Sequence, residues 1–102
     1  MFKFLKKNND VKTANELSGI VIKYSTERVD DLELVVGKAG SLMVREDTFF
    51  IYSSLDTVFS AKLTDLKISF LMSGDGAIIS GHDLTHGGVY RSVIVHFTYY
   101  RK

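Results

Sequence analysis

Two hydrophobic periods divide the sequence, the first helical and the second typical of strands. Between residues 10 and 25, apolar side chains recur at steps of three and four, which places them on one face of a helix. These residues are Val11, Ala14, Leu17, Val21 and Tyr24. The spacing predicts a helix from Asp10, a suitable N-cap, to about Ser25. Gly19 and the β-branched run 20–22 disfavour helix and mark the place where it could break.

From Asp31 onward the period changes to two. Leu32, Leu34 and Val36 alternate with their neighbours, which predicts a half-buried strand. The glycines of segment 37–40 predict a bend or bulge after it. Further strands are expected over 42–44, 48–53, 57–63, 77–80 and 89–100, with a charged turn at 45–47, an irregular segment at 64–75 and a polar loop at 81–88.

The last strand has the clearest alternation. Its apolar face carries Val89, Val93, Val95, Phe97 and Tyr99 together with Arg91. One helix followed by about six short strands predicts an α+β, mainly β domain. We expect a strongly bent antiparallel sheet or a small barrel, with an N-terminal helix. Residues 1–9 are predicted to be a tail and residues 10–102 a single domain.

Composition narrows the function classes. The chain of 102 residues carries 13 Lys and Arg against 12 Asp and Glu, so no broad positive field is present to gather nucleic acid. Cysteine is absent, which excludes disulfides, thiolate metal ligands and a cysteine nucleophile. No nucleophile, base and orienting group can be assembled, so we expect neither an enzyme nor a cofactor. No signal peptide or spanning segment is seen, and a cytoplasmic protein is expected.

The N-terminal segment offers a candidate membrane contact. It combines apolar and basic side chains, a mixture that suits an anionic lipid surface. These residues are Phe2, Phe4, Leu5, Lys6 and Lys7. The alternative is that the segment is a short tail whose apolar residues pack on the domain.

The middle of the chain resembles a known family. The run Gly40 to Tyr52 pairs a glycine-led strand and a charged turn with an aromatic strand, and Val58-Phe59 leads into a leucine–threonine–aspartate–leucine exit at 63–66. Together these features resemble a GRAM or pleckstrin-homology-like (PH-like) domain of bacterial type, over about Leu32 to Tyr100. The resemblance implies a small barrel that binds rather than reacts.

The sequence departs from this family in two respects. Such folds usually finish with a helix that plugs the barrel, whereas here the predicted helix comes first. The first hairpin loop also lacks a basic cluster, since Arg45 is followed by Glu46 and Asp47. Lipid binding is therefore not carried over.

One polar loop carries weak candidate metal ligands. His82, Asp83 and His86 supply ligand types that suit zinc or another divalent cation. Metal sites with two histidines four residues apart normally use a helix, however, and glycines bracket this loop. The alternative is a solvated turn, and we expect no bound metal.

The last strand supplies the candidate binding residues. Arg91 shares the apolar face, so it is expected either to pair with a carboxylate or to recognise an anion. Three large side chains of the same strand are expected to be covered by a partner, namely Ile94, Tyr99 and Tyr100. His96, between Ile94 and Thr98, is a candidate pH-sensitive group.

Three functions remain open at this stage. The first is a non-catalytic binding or assembly module that recognises protein or forms a homo-oligomer, through a free edge of the last strand. The second is a peripheral membrane module that uses the N-terminal segment. The third is a small metal-dependent enzyme that uses His82, Asp83 and His86.

Overall fold

A computed structural model describes residues 2–54 and 56–98, with side chains from residue 10 onward. In this part of the chain one helix, α1 (Phe2–Leu17), precedes seven strands. The strands are β1 (Val21–Val29), β2 (Leu32–Arg45), β3 (Thr48–Ser53), β4 (Thr57–Lys62), β5 (Lys67–Phe70), β6 (Gly76–Asp83) and β7 (Val89–Phe97). Two 3-10 turns, Leu63–Asp65 and Leu84–His86, follow β4 and β6.

The strands form one antiparallel sheet in the order β4-β3-β2-β1-β7-β6-β5. The sheet curves until β4 lies against β6, yet the outer strands β4 and β5 are not hydrogen-bonded to each other. The predicted bent antiparallel sheet is therefore confirmed, whereas a closed barrel is wrong. The predicted number of about six strands is one too low. β1 comes from residues predicted as helix and β5 from the segment predicted to be irregular, while the two strands predicted on either side of the glycines 37–40 form the single strand β2.

The boundary between α1 and β1 corrects the predicted helix. The helix ends at Leu17, because Gly19 adopts a φ of +94°, which stops the helical path. The backbone N–H of Gly19 donates to the carbonyl of Leu42 at 2.7 Å, and the chain then enters the sheet as β1. The β-branched cluster 20–22 thus begins a strand, as its intrinsic preference favours.

The helix packs on the sheet through the first part of the predicted stripe. Ala14 and Leu17 are fully buried, and Val11 packs against the same core. Residues 2–9, expected to be a tail, belong to α1 by backbone, so Asp10 is not an N-cap. The side chains of Phe2, Phe4, Leu5, Lys6 and Lys7, and with them the membrane candidate, lie outside the described residues. Within the described chain, no helix is both long and apolar enough to cross a membrane.

The last strand lies inside the sheet rather than at its edge. β7 is paired with β6 over residues 89–96 and with β1 over residues 93–97, so the free edge predicted for the last strand is absent over the second half of β7. Its predicted apolar face is confirmed at Val93, Val95 and Phe97, which are buried in the core, whereas Val89 on the same face is 60% exposed. Tyr99 and Tyr100 lie outside the described residues.

The β1–β2 hairpin extends beyond the rest of the sheet. β1 and β7 are paired only as far as Glu27, opposite Val93. Past this point β1 pairs with β2 alone, around the two-residue turn Asp30–Asp31. We call residues 27–34 the arm. Its strands are held together by the ladder of the hairpin, with no third strand of the described chain beside them.

The arm presents apolar side chains to solvent. Val29 is paired with Leu32, and Glu27 with Leu34, so these four side chains share one face. Val29, Leu34 and Leu32 are exposed at 43%, 48% and 64%. The predicted alternation of Leu32 and Leu34 is therefore correct, but its predicted half-burial is wrong, because the neighbouring strands end before they reach the arm.

Candidate functional site

A groove of about 650 Å³ lies where the arm separates from β7. We call it the arm groove. It is lined by Glu27, Val36, Asp56, Thr57, Val58, His86, Val89, Tyr90 and Arg91. These residues come from β1, β2, β4, β7 and the turns before β4 and β7. The arm groove is therefore the open end of the core, between the two halves of the curved sheet.

The guanidinium of Arg91 forms the floor of the arm groove. Its Nε and Nη2 donate to the two carboxylate oxygens of Glu27 at 3.1 and 2.7 Å. Its Nη1 donates to the carbonyl oxygen of Val58 at 3.1 Å and to Oδ2 of Asp83 at 2.5 Å. This bidentate pairing uses the planar fork that distinguishes arginine from lysine. Of the two roles predicted for Arg91, the structure places it in the ion pair.

Asp83 lies beneath the floor, with its side chain fully buried. Its Oδ1 accepts hydrogen bonds from the backbone N–H groups of Ser60 at 3.2 Å and Thr85 at 3.0 Å. Burial raises the pKa of Asp83, but the hydrogen bonds from Arg91, His86 and the two backbone groups together lower it below its ordinary value. The carboxylate is thus held ionised inside the protein.

His86 is oriented by the same carboxylate. It ends the 3-10 turn Leu84–His86, which is closed by Gly87 and Gly88, both at a φ of +79°. Its Nδ1 lies 2.6 Å from Oδ2 of Asp83, while half of the side chain is exposed in the arm groove. Contact through Nδ1 leaves Nε2 as the ring nitrogen that is not engaged with Asp83.

His82 belongs to a separate contact. It lies in β6, next to Asp83, so the two side chains point to opposite faces of the sheet. The imidazole of His82 contacts Asp65 at 3.0 Å and the edge of the Tyr90 ring. The predicted polar loop is therefore strand over residues 81–83. Among the residues described, no group of three or more His, Cys, Asp or Glu side chains could hold a metal ion.

The other predicted binding residues do not join Arg91. His96 and Ile94 lie on the face of β7 opposite Arg91, because the side chains of a strand alternate. The His96 ring stacks on Tyr24 with centroids 4.4 Å apart, and its Nε2 lies 3.8 Å from Oε2 of Glu33. The contacts of His96 are therefore with side chains of β1 and β2, on the face opposite the arm groove.

Sequence reasoning missed most of the lining. Glu27 lies in a segment whose hydrophobic pattern has no clear period. Val36 and Val58 were predicted only to belong to strands, not to line a binding site. No local pattern joins these three residues, because the fold brings Val58 of β4 to the β1–β2 hairpin that carries Glu27 and Val36. Comparison with family models, with curated proteins and with solved structures finds no match for this chain.

Proposed function

We propose that this protein is a non-catalytic binding module whose arm groove receives a segment of a partner protein. The observation that carries the proposal is the continuity of the arm groove with the exposed apolar face of the arm. Glu27 belongs to both, and Leu34 and Val29 extend the apolar surface outward. An exposed apolar surface of this kind, rimmed by polar groups, marks an interaction site.

The hydrogen bonding of the floor supports binding rather than reaction. Arg91 donates hydrogen bonds to Glu27, Asp83 and the carbonyl oxygen of Val58. Next to it, the hydroxyl groups of Ser60 and Thr85 are hydrogen-bonded to each other at 2.7 Å. A hydrogen-bonded polar network of this kind rigidifies a surface. A rigid floor lowers the ordering cost of binding, which is the general advantage of preorganisation.

The GRAM or PH-like assignment remains part of the proposal. A strongly curved, mainly antiparallel sheet with a charged turn at Glu46-Asp47 is compatible with it. The arm groove, rather than that turn, is the surface that we propose for binding, because the turn carries no basic cluster and no exposed apolar strip.

A selection from a random peptide library displayed on phage tests the proposal. Selected peptides should bind the wild-type protein and lose at least about tenfold in affinity with V36S/V89S, which removes two apolar walls of the arm groove. The matched control is Val21→Ser, an equally exposed valine at the far end of β1 (54% against 60% for Val89). It should leave binding unchanged.

Two outcomes would overturn the proposal. One is a library that yields no binder, and the other is a set of binders indifferent to V36S/V89S. A second copy of the chain is the alternative partner. Light scattering over a concentration series decides this point, since a groove-dependent dimer should dissociate in V36S/V89S and persist in Val21→Ser.

A further inference from the structure

The arm groove has the features of a site for one particular kind of segment. Resting on the proposed function, we infer that it binds an extended, basic peptide segment, which adds as a β-strand to the free part of β7 and places a lysine or arginine against the carboxylates of the groove. Three independent observations support the inference: an unpaired strand edge, an alternating apolar face and an excess of negative charge.

The unpaired edge is the first four residues of β7. Val89 to Ser92 are paired with β6 on one side. On the side of β1, pairing begins only at Val93, and no other strand of the described chain takes the place of the arm there. Backbone groups along this stretch are thus left without a ladder partner, in the wall of the arm groove. An extended peptide satisfies such groups by forming main-chain hydrogen bonds.

The apolar face sets the side-chain pattern of the segment. Val89 and Arg91 lie on the inner face of β7, because every second side chain of a strand points to the same face and Val93, the next in this series, is buried. Val36 and Val58 line the arm groove with them, and Leu34 and Val29 continue from Glu27 along the same face of the arm. A strand laid between β7 and the arm presents every second side chain to this surface. Apolar residues at alternate positions are therefore expected.

The charges favour a cation over an anion. Glu27 and Asp56 line the arm groove and Asp83 lies beneath it, against the single guanidinium of Arg91 and the imidazole of His86. The turn Asp30–Asp31 adds two carboxylates at the tip of the arm. Arg91 is paired with Glu27 and Asp83, and Asp56 adds a further carboxylate, so a net negative charge remains for a lysine or arginine of the partner.

A synthetic octapeptide tests the inference. The probe alternates valine and threonine, carries one lysine in place of a central valine, and is labelled with fluorescein. It should bind with an affinity that falls as salt rises, because its charge contact is screened. A second probe carries norleucine in place of lysine, and a third carries N-methyl groups on alternate backbone amides. The N-methylated probe should bind at least about tenfold more weakly, since it cannot form the ladder.

Variants of the protein locate the charge contact. Asp56→Asn keeps the oxygen that accepts from Ser53 Oγ but removes the charge. It should weaken binding of the lysine probe about threefold at low salt, and D30N/D31N, which removes both charges at the tip of the arm, should weaken it further, with no effect on binding of the norleucine probe. Asp47→Asn is the matched control, because Asp47 pairs with Lys62 at the other end of β4.

The outcomes separate this inference from the proposed function. No binding of the lysine probe at millimolar concentration overturns the inference, as does equal binding of the N-methylated or the norleucine probe. Phage-selected peptides that need Val36 and Val89 but are acidic, or helical when bound, would also overturn it while leaving the proposed function standing. If no peptide binds in a way that depends on the arm groove, both the inference and the proposed function are overturned.

Discussion

The guanidinium of Arg91 donates to the fully buried carboxylate of Asp83 at 2.5 Å, eight positions earlier in the chain. The same guanidinium holds Glu27, 64 positions away. One side chain, itself only 15% exposed, therefore links β7, β6 and β1 where the arm separates from the sheet. The integrity of the arm groove depends on this link, because the Arg91 side chain is its floor.

Replacement of Arg91 tests how much the link contributes to stability. Arg91→Met keeps much of the aliphatic volume but leaves the buried carboxylate of Asp83 without its guanidinium partner. We expect the free energy of unfolding to fall by about 3–5 kcal/mol, measured by urea denaturation. The control is Arg28→Met on the exposed face of the arm, expected to change stability by less than about 0.5 kcal/mol. A small loss in Arg91→Met would contradict a floor built on this ion pair.

Acid should weaken the same link. The pKa of Asp83 is lowered in the folded protein, so its contribution is present above the pKa of the unfolded chain, near 3.8, and is lost as pH falls through the folded value. The free energy of unfolding is therefore expected to decline below about pH 4. The carboxyl carbon resonance of Asp83, followed by NMR, should titrate with a midpoint below 3.8. A midpoint above this value would contradict the prediction.

The tip of the arm can be made more stable. Asp30 and Asp31 adopt φ angles of +50° and +67° in the two-residue turn between Val29 and Leu32. Asparagine followed by glycine suits such a pair of left-handed residues better than two aspartates. D30N/D31G should raise the free energy of unfolding by about 0.5–1 kcal/mol, seen as a higher melting temperature. An unchanged or lower value would show that the turn carries no strain.

Gly40 fixes the close approach of β2 and β3. A Cβ atom at this position would lie 1.8 Å from the carbonyl oxygen of Tyr52, a backbone atom that cannot turn aside. Gly40→Ala is expected to cost about 3 kcal/mol or more in thermal or urea unfolding, since the two strands must separate. Lys38→Ala, an exposed change nearby on β2, is the control. A near-native Gly40→Ala protein would contradict the strand spacing.

Period and turn chemistry predicted the local parts of this fold. The strand over 48–53 matches β3, and the buried face of β7 was read correctly, because both depend on neighbouring residues alone. The failure at 20–22 has a physical cause. Val21 continues the helical spacing of Leu17 but, as a β-branched residue, also suits a strand, and the positive φ of Gly19 decides between the two.

The site could be predicted only in part. A carboxylate partner for Arg91 was expected from its place on an apolar face, but Glu27 could not be identified, since the two meet through the pairing of β1 with β7. His82 and His86 are four residues apart, a spacing that would place both rings on one face of a helix, and they were therefore weighed as ligands of one metal site. In the structure a strand and a 3-10 turn send the two rings to different partners.

The pairing of β1 with β7 also dictates an order of events during synthesis. Most ladders of the sheet join strands that follow each other in the chain, whereas β1 meets a strand that emerges from the ribosome long after it. The hairpins β1–β2–β3–β4 and β5–β6 can form early, because their closing loops are short. The joining of these two groups must wait for β7. Until β7 has been synthesised, β1 therefore carries one unpaired edge, and this edge can pair with a strand of a neighbouring chain.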